Sequence, residues 1–277
     1  MTSAMGRIQV NGTNIMGSGP SNQTETEIAE RDISLTFAKG MSVLKAFDSG
    51  QTHMTLPQIA RATGFDRAIT RRLVLTLVHL GYVRQQERLF SLTPRILVLA
   101  GGFLQARQFG KTIEPVIQTF SNQIAEAISM AMIDGSQAVY VAHARERASA
   151  ISIGFTVGSK VPLLTTAIGR ALVSACPPDM AAELIRTAPL EAHTPSTQMD
   201  RAAIAEDIAL TAKRGHAFVD DQFEAGVAAI AVPIRADGVE PSALGVSGSS
   251  DHFNDPAFTR AVIDTLRNCA KVVGGLL

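Results

Sequence analysis

Tryptophan is absent from this 277-residue chain, and only two tyrosines occur. A protein that holds single-stranded nucleic acid by stacking bases needs more aromatic platforms, which excludes that mode of binding. Cys176 and Cys269 lie far apart, without the paired spacing of a disulfide framework or a zinc site, and this fits a reducing cytosol. No run of about eighteen apolar residues is available to cross a bilayer. Arg7 is not followed by the apolar stretch of a secretory signal, so a cytoplasmic protein with no membrane partner is expected. Catalytic constellations are missing as well. The six histidines have no triad-like or ligand-like neighbourhood, and Gly245-Val-Ser-Gly-Ser249 lacks the order of a nucleophile elbow. Cys176, between an apolar segment and two prolines, suits a buried thiol. Asp220, Asp221 and Glu224 gather no further metal ligand. The chain therefore reads as a non-enzyme, with no catalytic residue, metal or cofactor.

What is present is a charge asymmetry hidden in a net charge of zero. Residues 31–95 hold ten Lys or Arg against four Asp or Glu, a surplus of +6. Residues 96–277 carry fourteen basic and eighteen acidic residues, and residues 1–30 one against three. A small basic module joined to a larger acidic body is the electrostatic footprint of a DNA reader.

Within the basic module, residues 55–92 spell out two capped helices, a glycine turn and a hairpin. Thr55 and Gln58 form a Thr-x-x-Gln capping box, Pro57 lies in the first turn, and Gly64 ends the helix. Asp66 caps a second helix, on which Ile69, Leu73, Thr76, Leu77 and Leu80 are expected to face inward. Arg67 and Arg71 point nearly opposite, with Thr70 and Val74 beside them. Such a helix suits a major groove, where arginine donates to guanine or clamps a phosphate. Gly81 stops the helix, and strands at 82–84 and 89–92 flank the polar turn 85–88. The order is a winged helix-turn-helix. Its expected DNA contacts are Thr55, Arg67, Ala68, Thr70, Arg71, Arg72 and, on the wing, Arg88.

Elsewhere the pattern predicts four regions. Residues 1–30, rich in Gly, Ser, Asn, Thr and Gln, read as a disordered tail, or in part as the product of an upstream start codon. Residues 31–93 form the DNA-binding domain, opening with a helix near 35–48 whose inner face is Phe37, Met41, Leu44 and Phe47. Residues 94–109 form a linker helix so apolar that it is expected to dimerise, or else to dock on its own C-terminal domain. Residues 110–277 alternate helices with short strands, including a hairpin around Asp134-Gly135 and a strand at 150–155. They predict an α+β domain around an antiparallel sheet.

Over residues 31–277 the chain resembles the IclR family of bacterial transcription regulators. The resemblance is carried by Ala38-Lys-Gly-Met-Ser-Val-Leu-Lys-Ala-Phe47, the helix-turn-helix, Leu80-Gly-Tyr-Val83 and Thr166-Ala-Ile-Gly-Arg-Ala-Leu172. Gly215-His-Ala-Phe-Val-Asp220, Gly226-Val-Ala-Ala-Ile-Ala-Val-Pro233 and Ala243-Leu-Gly-Val-Ser247 add to it. Asp66-Arg-Ala-Ile-Thr-Arg-Arg72 and Phe90-Ser-Leu-Thr-Pro-Arg95 look closest to the regulators of protocatechuate, 4-hydroxybenzoate and β-ketoadipate metabolism. The resemblance implies a winged helix-turn-helix, a dimerising linker helix and a C-terminal GAF-like effector domain. It also implies homodimers, which in the family often pair into tetramers on DNA, and an effector pocket here lined by Ala167, Ile168, Val219, Ala229, Gly245 and Ser247. Those positions are mainly apolar, with one hydroxyl, which argues against glyoxylate and for a larger, flatter acid. Donors to a carboxylate are expected from Ser247, Thr165, Thr166 or backbone N–H groups; Arg145, Arg147 and Arg170 are candidate charges, though a surface or structural role is the better expectation for each.

The expected function is ligand-responsive regulation of aromatic or related acid catabolism, by binding to double-stranded operator DNA and a small organic acid. The rival readings are an architectural DNA-binding protein without an effector and an enzyme built on the C-terminal domain.

Overall fold

The computed structural model describes residues 30–48, 51–144, 156–236 and 238–277. Nearly all of the expected N-terminal tail, the strand expected at 150–155, and Arg145 and Arg147 lie outside the described residues. The chain divides after Ala106 into two compact units.

The first unit holds α1 (Leu35–Lys45), α2 (Leu56–Thr63), α3 (Arg67–His79), a hairpin of β1 (Val83–Gln86) and β2 (Leu89–Leu92), and α4 (Arg95–Ala106). Gln58 Oε1 accepts from the backbone N–H and the hydroxyl of Thr55, each at 2.8 Å, so the capping box starts α2. Gly64 ends α2 with φ 71°, where a side chain would be strained. Asp66 then caps α3 by accepting from the N–H groups of Ala68 and Ile69 at 2.9 Å. Val43, Phe47, Met54, Ile59, Leu73, Val74, Leu77, Val83 and Phe90 close one core.

Three expectations shift here. The inward stripe of α3 is Thr70, Leu73, Val74 and Leu77, whereas Thr76 and Leu80 are exposed. On α1 and the turn after it, Val43 and Phe47 are buried and Leu44 half-buried, but Phe37 and Met41 are exposed, because only the C-terminal end of that segment turns toward the core. The hairpin turns at Glu87 and Arg88, with Gln85 and Gln86 inside β1, since Glu87 adopts φ 55°.

The linker helix also ends earlier than its apolar run suggests. Gln108 takes φ 53° and breaks α4 at Ala106, and Phe109 is buried in the second unit rather than in the linker. No residue of α4 is buried.

The second unit is built on a six-stranded sheet in the order β5-β4-β3-β8-β7-β6, with all pairings antiparallel. Its strands are β3 (Ile128–Asp134), β4 (Gln137–Ala144), β5 (Lys160–Pro162), β6 (Ala217–Asp220), β7 (Val227–Ile234) and β8 (Ser242–Ser249). Around them run α5 (Glu114–Ile124), α6 (Ala167–Ala175), α7 (Pro178–Thr187), α8 (Arg201–Arg214), the single turn α9 (Ser250–Phe253) and α10 (Pro256–Gly274). Side chains alternate across the sheet. One face packs against α6, and behind α6 lie α7 and α8. α5 and α10 cover the other face, with Gly274 of α10 against Ile234.

The face turned to α6 is unusually small. Ala131, Ala138, Ala217, Ala229, Ala231, Ala243 and Gly245 contribute to it, so the helix does not fill the space above them. Residues 167–173 of α6 are all buried, as expected for a helix covered on every side. Gly169 permits its approach: a Cβ there would overlap the carbonyl oxygen of Leu163 and lie 2.5 Å from Leu163 Cα. Gly169→Ala is expected to cost about 3 kcal/mol, the upper end for overpacking, read as a lowered urea midpoint. Gly40→Ala in α1, where nothing lies within 4 Å of the added methyl, is the matched control and should gain about 1 kcal/mol from helix propensity.

Candidate DNA-binding surface and ligand cavity

On α3, Arg67, Ala68, Arg71 and Arg72 are exposed on the side away from the buried stripe, and Arg88 is exposed at the tip of the hairpin. Thr55 is half-buried at the start of α2, with its hydroxyl committed to Gln58. Thr70 is the exception and has to be removed from the reading face. It is fully buried, and its hydroxyl donates to the Asp66 carbonyl at 2.9 Å. A threonine one turn into a helix satisfies itself on the preceding turn in this way, and its methyl then packs inward.

In the second unit, a cavity lies between the start of α6 and the small-residue face of the sheet. About 60 Å³ of it is open to the centre of a water molecule. Ala167 and Ile168 form its ceiling, Val219, Ala229, Gly245 and Ser247 part of its floor, so all six positions assigned by resemblance meet around one space. The register explains the meeting: Val219 pairs with Ala229 and Ala229 with Ser247, while Ala231 and Ser129 both pair with Gly245.

Other lining residues were not anticipated. Ser129, Tyr140, Val161, Val227, Ile230 and Val246 complete the walls, and Phe223 and Glu224 close one side from the segment between β6 and β7. Ser129 carried a usable signal, as the one polar residue in the run Ile128-Ser-Met-Ala-Met-Ile133. Burial pushes the Tyr140 phenol up to about 12, so it stays neutral in any physiological buffer.

Of the expected carboxylate donors, Thr166 reaches the cavity but is already engaged. Its hydroxyl donates to the Pro162 carbonyl at 2.7 Å and accepts from Gly169 N–H at 3.1 Å, which caps α6. Thr165 is fully buried without lining the cavity.

Arg170, a candidate charge for a ligand but better expected as a surface or structural residue, is a structural clamp. It is 3% exposed. It donates to the Leu164 carbonyl at 2.8 Å, to Asp207 of α8 at 3.1 Å and to Gln222 at 2.7 Å. Asp207 also holds Arg214 at 2.9 Å. Burial lowers the guanidinium from its usual value, and Asp207 offsets part of that effect. One side chain thus ties the ceiling, α8 and the segment bearing Phe223 together.

That segment is fastened from a second side. Thr197 donates to the Gln222 carbonyl at 2.6 Å, and Thr194 to the Asp221 carbonyl. Asp221, at φ 56°, accepts from the Ser196 hydroxyl and from Gly226 N–H, which hold its carboxyl below the usual value. Asp220 ends β6, Asp221 and Glu224 belong to the segment after it, and among the described residues no group of three or more His, Cys, Asp or Glu could hold a metal. Nor is any described helix long and apolar enough to cross a membrane.

The chain is similar to known proteins in sequence and fold. The model of the IclR helix-turn-helix domain matches residues 36–87, and that of the bacterial transcriptional regulator IclR C-terminal domain matches residues 102–274. The Pca regulon regulatory protein of Pseudomonas putida is 31% identical over 229 residues, covering 82% of this chain and 79% of its own. The p-hydroxybenzoate hydroxylase transcriptional activator of Acinetobacter baylyi is 26% identical over 256 residues, or 91% of this chain and 94% of its own. An IclR homolog from Microbacterium hydrocarbonoxydans, solved in complex with 4-hydroxybenzoate, shares the fold with a TM-score of 0.70 at 21% identity, over 87% of this chain and 98% of its own. With helix-turn-helix and C-terminal domain both matched over most of its length, the chain belongs to the IclR family of bacterial transcriptional regulators.

Proposed function

We propose that this regulator answers to an aromatic or related organic acid, bound in the cavity beneath α6, by changing its grip on double-stranded operator DNA. The observation that carries the reading is the convergence of Ala167, Ile168, Val219, Ala229, Gly245 and Ser247 on one largely apolar cavity. Its free space corresponds to about four to six waters, roughly the bulk of one ring with small substituents. The names of the Pseudomonas and Acinetobacter relatives support the same chemical class.

A carboxylate entering this cavity meets the first turn of α6. Thr166 caps the N–H of Gly169, which leaves the N–H groups of Ala167 and Ile168 as donors at the positive end of the helix dipole. Among the described lining residues the only formal charge is that of Glu224. A monoanion held by backbone donors fits such a site better than a dianion.

The protein acts as a homodimer in the cytoplasm, and dimers pair on DNA. Leu97 (69% exposed), Val98 (73%), Leu99 and Phe103 on α4 support this, because a helix with so much exposed apolar surface needs a partner. The effector works through its differential affinity for two arrangements of that dimer.

On DNA, Arg67→Ala and Arg71→Ala are each expected to weaken operator binding about 5- to 100-fold, the loss of one good base or phosphate contact. Thr70→Val should leave operator affinity within about twofold, since the side chain is buried. Gel-shift titration measures all three, and normal binding by both arginine variants would show that the reading face lies elsewhere.

For the ligand, a thermal-shift screen of aromatic and keto acids should find stabilising compounds. Gly245→Val should abolish that stabilisation while the protein still folds, because a Cβ there already lies 3.3 Å from Ile168 Cδ1. A screen in which no acid raises Tm would sink the sensor reading.

A further inference from the structure

Ser129 is a cavity-lining hydroxyl whose orientation is tied to a second side chain. It sits on β3, directly opposite Gly245 of β8 on one side and His143 of β4 on the other. Because Gly245 has no side chain, the floor beside Ser129 is open to the cavity, with Ile168 Cδ1 and Ala231 Cβ the side-chain atoms nearest above and beside the glycine. Ser129 Oγ lies 2.8 Å from His143 Nδ1. Both residues are half-buried, and His143 itself does not line the cavity.

A serine hydroxyl has one proton and two lone pairs. When Nδ1 of His143 accepts the proton, Ser129 keeps its lone pairs for a donor in the cavity. When Nδ1 carries a proton, Ser129 accepts that bond and turns its own proton to the cavity. In both cases the imidazole takes one role and leaves Ser129 the complementary one, so the hydroxyl meets a ligand preorganised. Ala131, Ala243 and Gly245 are its apolar neighbours on the floor, and the other floor hydroxyl, Ser247, stands two residues along β8, opposite Ala229.

We propose that Ser129, positioned by His143, is the residue that selects a hydroxylated ring: the effector is an aromatic monocarboxylate bearing a phenolic hydroxyl, which Ser129 contacts. This rests on the reading of the cavity as a site for aromatic acids and adds which substituent it distinguishes. The carboxylate and the hydroxyl are met by different elements, the first turn of α6 and β3. A mutation at Ser129 therefore alters preference among ring acids rather than affinity for the ring acid itself. Glu224 in the lining disfavours a second carboxylate in place of the hydroxyl.

The test uses the full-length protein and calorimetric titration with benzoate, 3-hydroxybenzoate, 4-hydroxybenzoate and 3,4-dihydroxybenzoate. The quantity read is the ratio of the benzoate Kd to that of the best hydroxylated acid. Wild type should prefer a hydroxylated acid by about three- to tenfold, the worth of one net hydrogen bond. In Ser129→Ala the ratio should fall to about one, with the benzoate Kd itself changed less than about twofold. His143→Leu, which leaves the hydroxyl without its orienting partner, should lower the ratio by a smaller factor; a purely structural role for His143 would shift all four constants together. If Ser129→Ala keeps the wild-type ratio, the assignment of Ser129 is overturned while the aromatic-acid reading stands. If wild type binds none of the four acids, the aromatic-acid reading falls and the assignment falls with it.

Discussion

The contact between Gly169 and the backbone of Leu163 sets where α6 begins, and through α6 the height of the ceiling over the sheet. Any side chain at that position would lift the helix or twist the segment before it. With α6 seated, the next residue, Arg170, reaches back to Leu164, across to Asp207 and out to Gln222. A guanidinium buried to this degree is tolerated only when its donors are matched, and removing one partner leaves an uncompensated charge. The close approach and the clamp are therefore one constraint expressed twice. The glycine allows the helix to come down, and the arginine fastens its neighbours once it has done so. The alanines and Gly245 on the facing strands then leave the space that makes a cavity rather than a solid core.

Much of this was legible in the sequence, and the reasons are local. Thr55 with Gln58, Gly64 and Asp66 mark helix ends through bonds made within a few residues, so their spacing alone locates α2 and α3. The strands of the second unit follow from short apolar runs bounded by turn residues. The six cavity positions came from resemblance, not from periodicity, and the register of β6, β7 and β8 explains why residues so distant in sequence share one floor.

What could not be read depends on tertiary direction. Thr70 looked available because it stands beside Arg67 and Arg71, but a wheel rotated by less than one residue separates a reading face from a buried one. Phe37 and Met41 have the spacing of an inner face and yet are exposed, because apolar periodicity reports that a surface is to be covered without naming what covers it. The partners of Arg170 could not be named, since they lie 37 and 52 residues away. Phe223 and Glu224 were hidden for the same reason: they reach the cavity only because Thr194, Ser196 and Thr197 fold the segment over it.

The composition of the lining separates affinity from selectivity. Val161, Ile168, Val219, Phe223 and Val227 supply apolar contact to any planar ring. Burying about 150 Å² of ring surface at ~25 cal/mol/Å² is worth about 4 kcal/mol, which is common to every aromatic acid of the right size. Each neutral hydrogen bond adds only about 1 kcal/mol net. A site so built binds a class of compounds through its walls and ranks members of the class through a few polar atoms, each worth about a factor of ten or less. Sharp discrimination then has to come from what the cavity refuses. The inward-facing bulk of Ile168 over Gly245 and the carboxylate of Glu224 are the two features of this lining that refuse, one by shape and the other by charge.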